Sequence, residues 1–245
     1  MKIRLDKLLT EQGYAENLQK AQALIIAGKV EVNGRKAEKA GMMFPPDCLI
    51  MVKQSNCPYV SRGGLKLAKG LDFFHLDPRG LTCADIGAST GGFTDCLLQH
   101  GASLVYAVDV GYGQLDWSLR QDPRVVVMER TNARNLLPAD IPRKLHLAVI
   151  DAAFISLKVL LPPLLPLFAG DVSILALIKP QFEVSKDKVG EGGVVRDPDL
   201  HQEVLEELRT FSTRLGLQWQ GVTTSPILGP KGNKEFLTYL RSPQL

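Results

Sequence analysis

The stretch Asp85-Ile86-Gly87-Ala88-Ser89-Thr90-Gly91-Gly92-Phe93 puts an acid at the end of an apolar run and then a glycine-rich turn. A helical pattern follows at once in Phe93, Cys96, Leu97 and Leu98. Glycine has no Cβ and tolerates positive φ, so such a turn lets a nucleotide-like ligand come close to the main chain. A second apolar run ends in Asp109, where a carboxylate can accept hydrogen bonds from ribose hydroxyls. Together these residues point to an enzyme with an adenosine-containing cofactor. The dinucleotide fingerprint is G-x-G-x-x-G, and its second glycine makes room for a pyrophosphate. Here Ser89 stands at that position. S-adenosylmethionine has no pyrophosphate, and an acid at Asp85 suits its cationic methionyl end. The turn therefore favours a methyltransferase. A dinucleotide enzyme and a ligand-free packing turn are the other readings these residues allow. Asp85, Gly87, Ser89, Thr90, Gly91, Gly92, Phe93 and Asp109 are the expected cofactor contacts. Asn132, after the third expected strand, is placed either to meet the adenine edge or simply to make a turn.

Four more charged residues fall where chemistry is usually housed. Asp151 ends the apolar run Leu147 to Ile150, and Lys179 ends the run Ile174 to Ile178. The carboxyl ends of parallel strands line the ligand crevice of an α/β sheet. Glu235 opens the final expected strand, and Lys66 lies on a helix before the sheet. Any one of them alone reads as a solvated strand end; four beside a glycine turn read as a site.

The elements that must position them follow from periodicity. After Gly80, strands are expected near 82–86, 103–109, 124–128, 146–151, 172–178, 217–224 and 236–241, with helices near 92–100, 114–120, 157–168 and 198–215. Mostly apolar strands separated by helices imply a sheet covered on both faces. The expected class is α/β, with a seven-stranded, mostly parallel, Rossmann-like sheet whose last two strands pair antiparallel at its edge. A helix is also expected over 61–74. Residues 1–54 read as a small α+β module. Leu5, Leu8 and Leu9 recur at helical spacing up to Gly13, and Ala21, Leu24, Ile25 and Ala27 continue to Gly28. Val30-Glu31-Val32 leads into Asn33-Gly34, a hairpin signal, and Asp47 to Val52 closes with a strand. Residues 55–60 read as a linker to a main domain over 61–245.

Charge separates the two parts. Residues 1–70 carry 12 Lys and Arg against 6 Asp and Glu, whereas residues 71–245 carry 17 against 20. A basic N-terminal part suggests a polyanionic partner. The four cysteines, at 48, 57, 83 and 96, form no CxxC, so no metal site is expected and a reducing compartment is. Met1 to Asp6 contains no apolar signal segment. The longest apolar stretch, Val159 to Ala169, is broken by Pro162, Pro163 and Pro166 and is too short for a bilayer. A cytoplasmic protein with no membrane partner is expected.

The order Lys66, Asp151, Lys179, Glu235 resembles the Lys-Asp-Lys-Glu tetrad of FtsJ-type RNA 2′-O-methyltransferases. More closely, the chain resembles the TlyA, or hemolysin A, family, which joins that catalytic domain to an S-four-like RNA-binding module. The resemblance covers nearly the whole chain. It is carried by Arg4-Leu5-Asp6, Ala27 to Gly34, Ser61 to Leu67, Asp85 to Phe93, Lys179 to Glu183, Gly190 to Asp197 and Ser225 to Phe236. One departure is Asn17-Leu18, where the family carries Ser-Arg, so an arginine that could reach phosphate is absent.

The resemblance implies attack of a ribose 2′-hydroxyl on the methyl of S-adenosylmethionine, with a cytidine in ribosomal RNA as the target. Lys179 is then the group that orients or deprotonates the hydroxyl. Free lysine titrates near pH 10.4, so a second cation at Lys66 would help it act as a base and would stabilise the alkoxide. Asp151 and Glu235 would hold the two lysines. Arg4, Lys7, Lys20, Lys29, Arg35, Lys36 and Arg62 are the expected phosphate contacts, which position RNA without reading its sequence. The loop Ser185 to Arg196 would close over the RNA or remain a plain loop. Two rival functions follow: an RNA-binding assembly factor with a vestigial catalytic domain, and a membrane-damaging hemolysin.

Overall fold

The computed structural model describes residues 2–26, 28–52 and 57–242. Ala27 of the second expected helix, and Ser55 and Asn56 of the expected linker, lie outside them. The chain divides into two compact units, Met1–Asn56 and Cys57–Leu245.

In the first unit, β1 (Ile3–Arg4) leads into helix α1 (Leu5–Glu11), followed by α2 (Leu18–Ile26). Strands β2 (Val30–Val32), β3 (Arg35–Lys36), β4 (Met43–Phe44) and β5 (Ile50–Val52) complete it. The apolar faces of α1 and α2 meet over Leu5, Leu8, Leu9, Ala21 and Ile25, with Val30, Val32 and Ile50 closing the core. Asn33 and Gly34 both take positive φ, as the hairpin between β2 and β3 requires. Asn17 caps α2 by accepting from Lys20 N at 2.9 Å. The residue that departs from the family pattern thus serves the helix it precedes.

The second unit holds α3 (Gly63–Phe73), β6 (Thr82–Ile86), α4 (Gly92–Gln99), β7 (Leu104–Val108), α5 (Trp117–Arg120) and β8 (Val125–Met128). It continues with β9 (Leu147–Ile150), α6 (Leu157–Leu164), β10 (Ser173–Ile178), α7 (Pro198–Arg214), β11 (Gln218–Thr224) and β12 (Phe236–Arg241). Seven strands form one sheet in the order β11-β12-β10-β9-β6-β7-β8. β6, β9 and most of β10 are fully buried, which explains their uninterrupted apolar sequence. The chain leaves β6 to one side for β7 and later returns to the other side for β9, so the crevice of an open α/β sheet opens between them.

As expected, the last two strands pair antiparallel at one edge of the sheet; β12 lies inside β11 and also pairs antiparallel with β10. Three expectations change. Helix α5 begins at Trp117 rather than 114, because Asp116 accepts from Ser118 N and fixes the start there. Helix α6 ends at Leu164, where Pro162, Pro163 and Pro166 turn the chain into a short 3-10 segment. Residues 58–60, expected as linker, are bound to α4. Gln99 Nε2 donates to Pro58 O at 2.9 Å, and Val60 N donates to Asp95 Oδ2 at 2.8 Å.

Candidate active site

The turn after β6 is shaped by its glycines. Gly87 takes φ +88°, and a Cβ there would lie 2.8 Å from the carbonyl oxygen of Asp151. Any side chain would force apart the ends of β6 and β9 just where the crevice opens. Gly91 is left-handed at φ +96° and starts α4. Gly92 lies against the backbone of Gly63 and Gly64, so α3 and α4 cross closely and bring Lys66 over the turn.

Beside this turn is a cleft of about 590 Å³, lined among others by Arg62, Lys66, Gly87, Thr90, Asp151 and Lys179. Ser89, Gly92 and Phe93 also face it. Four charged side chains are joined here in two pairs. Lys179 Nζ lies 2.6 Å from Asp151 Oδ1, joining the ends of β10 and β9. Lys66 Nζ donates to Glu235 Oε2 at 2.5 Å, joining α3 to the start of β12. Glu235 is 1% exposed and Lys66 8%. Such a buried pair tolerates the loss of neither partner, because the survivor is a charge out of water. The second oxygen of Glu235 is buried without a partner, and its carboxylate lies against Gly229, where only glycine leaves room.

The cleft continues past Gly87, Ser89 and Asp151 into a second cavity of about 380 Å³ that holds Asp109 and Asn132. Asp109 Oδ2 accepts from Ser89 N at 2.8 Å, and Oδ1 accepts from Gly111 N at 2.6 Å. The carboxylate is therefore fixed by two main-chain donors, with lone pairs to spare for hydroxyls. Asn132 Oδ1 accepts from Arg134 N at 3.1 Å, so its carbonyl is committed to the local turn.

Asp85 sits elsewhere than a direct contact would. It is fully buried under the turn, lines neither cavity, and accepts from Thr94 Oγ1 at 2.7 Å while Oδ1 has no partner. Burial pushes this carboxyl up to about 7, against the pull of the Thr94 hydrogen bond. Gly91 also stays out of both linings, acting through its backbone.

A third cavity, about 360 Å³, adjoins the cleft through Ala153, Lys179 and Pro230. Phe154 stands at it with a positive φ of 63° and 90% of its surface exposed, its ring 5.1 Å from that of Phe182. Phe154 drew no attention in the sequence, where a single aromatic after a strand carries no pattern. Neither did Asn233, whose amide donates to Gly193 O at 3.0 Å and accepts from Val195 N at 3.1 Å. Asn233 thereby pins the loop 185–196 at Gly193 and at the buried Val195. Glu183 was likewise missed as the acceptor for Ser156 Oγ and Leu157 N at the head of α6.

Among the expected phosphate contacts, Arg62 is exposed at the cleft. In the first unit Lys7, Arg35 and Lys36 are exposed and Lys29 is half-buried. Arg4 pairs with the buried Asp6 at 2.7 Å, and Lys20 pairs with Glu16 at 2.7 Å. Among the described residues no group of three or more His, Cys, Asp or Glu could hold a metal, and no helix is long and apolar enough to cross a membrane.

A Rossmann-like sheet with a glycine turn at its switch point and charged strand ends around one cleft defines the class as methyltransferase. Residues 59–242 match the model of FtsJ-like methyltransferases and residues 3–47 match the S4 domain, and the chain belongs to the FtsJ-like methyltransferase family. It is 49% identical to YqxC of Bacillus subtilis, provisionally named an rRNA methyltransferase, over 99% of this chain and 86% of that one. It is 47% identical to the 16S/23S rRNA (cytidine-2′-O)-methyltransferase TlyA of Mycobacterium tuberculosis, over 98% and 90%. A solved Streptococcus thermophilus structure, provisionally named a hemolysin, superposes with a TM-score of 0.77 at 43% identity, over 99% and 90%.

Proposed function

We propose that this methyltransferase moves a methyl group from S-adenosylmethionine to a ribose 2′-hydroxyl of ribosomal RNA, on a cytidine. The observation that carries the reading is the pair of lysine–carboxylate bridges facing the glycine turn across one cleft. The cofactor fits that turn: Gly87 keeps the floor open, and Asp109 offers a fixed carboxylate to ribose hydroxyls. When bound, S-adenosylmethionine supplies an electrophilic methyl on a sulfonium. The chain's residues do the rest. Lys179 Nζ hydrogen-bonds the 2′ oxygen. In its neutral form Nζ takes the hydroxyl proton on its lone pair, while Asp151 Oδ1 holds the amine in place. Lys66, fixed by Glu235, places a positive charge beside the developing alkoxide. Asp85 supports the turn from beneath.

Residues 1–54 form the RNA-binding module in this reading, through Arg4, Lys7, Lys20, Lys29, Arg35 and Lys36, with residues 61–245 as the catalytic domain. Arg62 meets phosphate at the cleft. The cytidine preference and the ribosomal substrate rest on what the Mycobacterium tuberculosis relative is named for. The test is methyl transfer from labelled S-adenosylmethionine to separate ribosomal subunits and intact ribosomes, with the product nucleotide mapped. A 2′-O-methyl mark that is lost in Lys179→Ala supports the reading. Cofactor binding without transfer directs the search to other RNAs, and no cofactor binding favours the RNA-binding factor.

A further inference from the structure

The Lys179–Asp151 bridge lies just past the point where the sheet stops holding its two strands together. β9 and β10 pair in parallel only as far as Ile150 and Ala176, while β10 stays paired with β12 up to Ile178. Asp151 N still donates to Ile86 O at 2.9 Å, but residues 152–156 after it belong to no helix or strand. That segment also holds Phe154 at a positive φ of 63°, a conformation that persists only where the surroundings hold it. Its far end is tied down by Glu183. One oxygen of the Glu183 carboxylate accepts from Ser156 Oγ at 2.6 Å, and the other accepts from Leu157 N at 2.8 Å. Glu183 is itself carried by the short 3-10 turn that begins at Lys179: Phe182 N donates to Lys179 O at 2.9 Å, and Glu183 N donates to Pro180 O at 3.0 Å. The loops after β9 and β10 are thus joined twice, at their start by the Lys179–Asp151 bridge and at their end by Glu183. Between the two ties the rings of Phe154 and Phe182 lie 5.1 Å apart.

We infer that Glu183 is a positioning residue for methyl transfer: it sets the loop after β9 so that Asp151 meets Lys179 at the cleft. This rests on the function proposed above, in which Lys179 takes the hydroxyl proton. Glu183 lines none of the three cavities, so it acts through Asp151 and not on ribose or cofactor. Starting α6 does not require it. Ser156 already caps that helix, with Oγ accepting from Lys158 N at 3.1 Å. What Glu183 adds is a tie across 27 positions of sequence, from the loop that carries Lys179 to the loop that carries Asp151. Burial raises its carboxyl above the ordinary value, against the pull of the bonds from Ser156 and Leu157. The carboxylate also meets the positive end of α6, which favours its charge there. Without this clamp the Lys179–Asp151 bridge must hold the loop by itself. A shift of about 1 Å in a group that orients the reacting atoms is enough to cost roughly 100-fold in rate.

The experiment compares the full chain as wild type, Glu183→Ala and Glu183→Gln, with S-adenosylmethionine and the ribosomal subunit that the wild type methylates. Cofactor-binding sites are counted by calorimetry and kcat is expressed per site, so that unfolded protein drops out of the comparison. Thermal unfolding is recorded beside it. Glu183→Ala should lower kcat per site by roughly 10- to 100-fold, while KM for the subunit and cofactor affinity stay within a few-fold. Glu183→Gln keeps an acceptor oxygen for Leu157 N and an amide that donates to Ser156 Oγ, so it should return kcat to within a few-fold of wild type. A glutamate that serves only the fold gives another pattern, a lower melting temperature in Glu183→Ala with kcat per site unchanged. That pattern overturns the inference, and so does equal slowing in both variants. If Glu183→Ala leaves no cofactor-binding protein, Glu183→Asp decides instead. It keeps the charge but is one methylene short of the two donors, so kcat per site should fall, and an unchanged kcat overturns the inference. No transfer by the wild type, or near-normal turnover in Lys179→Ala, is a separate result: it removes the proposed function or the role of Lys179, and the positioning role with it.

Discussion

At the scale of single residues, Lys179 and Asp85 make opposite demands. Lys179 faces the cleft, so Lys179→Ala should lower kcat at least 100-fold while cofactor affinity, read by calorimetry, stays within a few-fold. Near-normal turnover would refute its role. Asp85 faces only protein. Its carboxyl titrates near 7 in the folded chain and near 3.9 when unfolded. Between those values the unfolded chain gives up a proton that the folded chain keeps. Stability must therefore fall as pH rises from about 4 to about 7, and then level off. Asp85→Asn has no such titration. Its stability relative to wild type should rise across that window, by at most about 4 kcal/mol at pH 8. Urea unfolding of both proteins without cofactor, at pH 5 and pH 8, checks this; an equal difference at both values would show that Asp85 is not held protonated. The two residues also mark how far the sequence could be read. Asp85 and Lys179 each end an apolar run, and their type and place were legible. That one side chain turns into the core and the other into the cleft was not, because period-2 alternation is invisible in a strand apolar on both faces.

At the scale of elements, the strands and helices of the second unit were legible because each buried strand is an unbroken apolar run and each major helix has a clear face. The antiparallel pairing of the last two strands at the sheet edge was legible in the turn-rich loop that joins them. That β12 rather than β11 lies against β10 was not, because a strand's sequence records what covers its faces and not which strands flank it. Phe154 and Asn233 escaped for a related reason: their places arise from loops that meet only in space. Gly87 shows the converse case, a residue whose type alone told its job. Gly87→Ala places a Cβ at a positive φ and against the Asp151 carbonyl. It should cost roughly 1–3 kcal/mol of stability. It should also weaken cofactor binding at least 10-fold, since the end of β9 must shift; thermal unfolding and calorimetry read the two effects. Unchanged affinity would mean that the turn does not hold the cofactor.

At the scale of the whole molecule, each unit has its own buried core, so residues 57–245 should fold alone. They should bind cofactor within a few-fold of the full chain yet lose most of their affinity for ribosomal subunits. Circular dichroism, calorimetry and sedimentation with subunits test the three points, and undiminished subunit affinity would displace the first unit from its role. In the full chain, Lys29→Ala with Arg35→Ala should weaken subunit binding and flatten its salt dependence, by roughly 0.7 to 0.9 in log–log slope for each phosphate no longer neutralised. An unchanged slope would remove both from the RNA surface. The Lys66–Glu235 bridge has a bearing on synthesis. Its partners lie 169 positions apart, one on the first helix of the second unit and one at the head of the last strand. A growing chain thus carries a lone cationic Lys66 until β12 emerges, inserts beside β10 and delivers the carboxylate. The bridge can therefore form only after β12 has been made, and a polypeptide released before that point lacks the carboxylate that fixes Lys66.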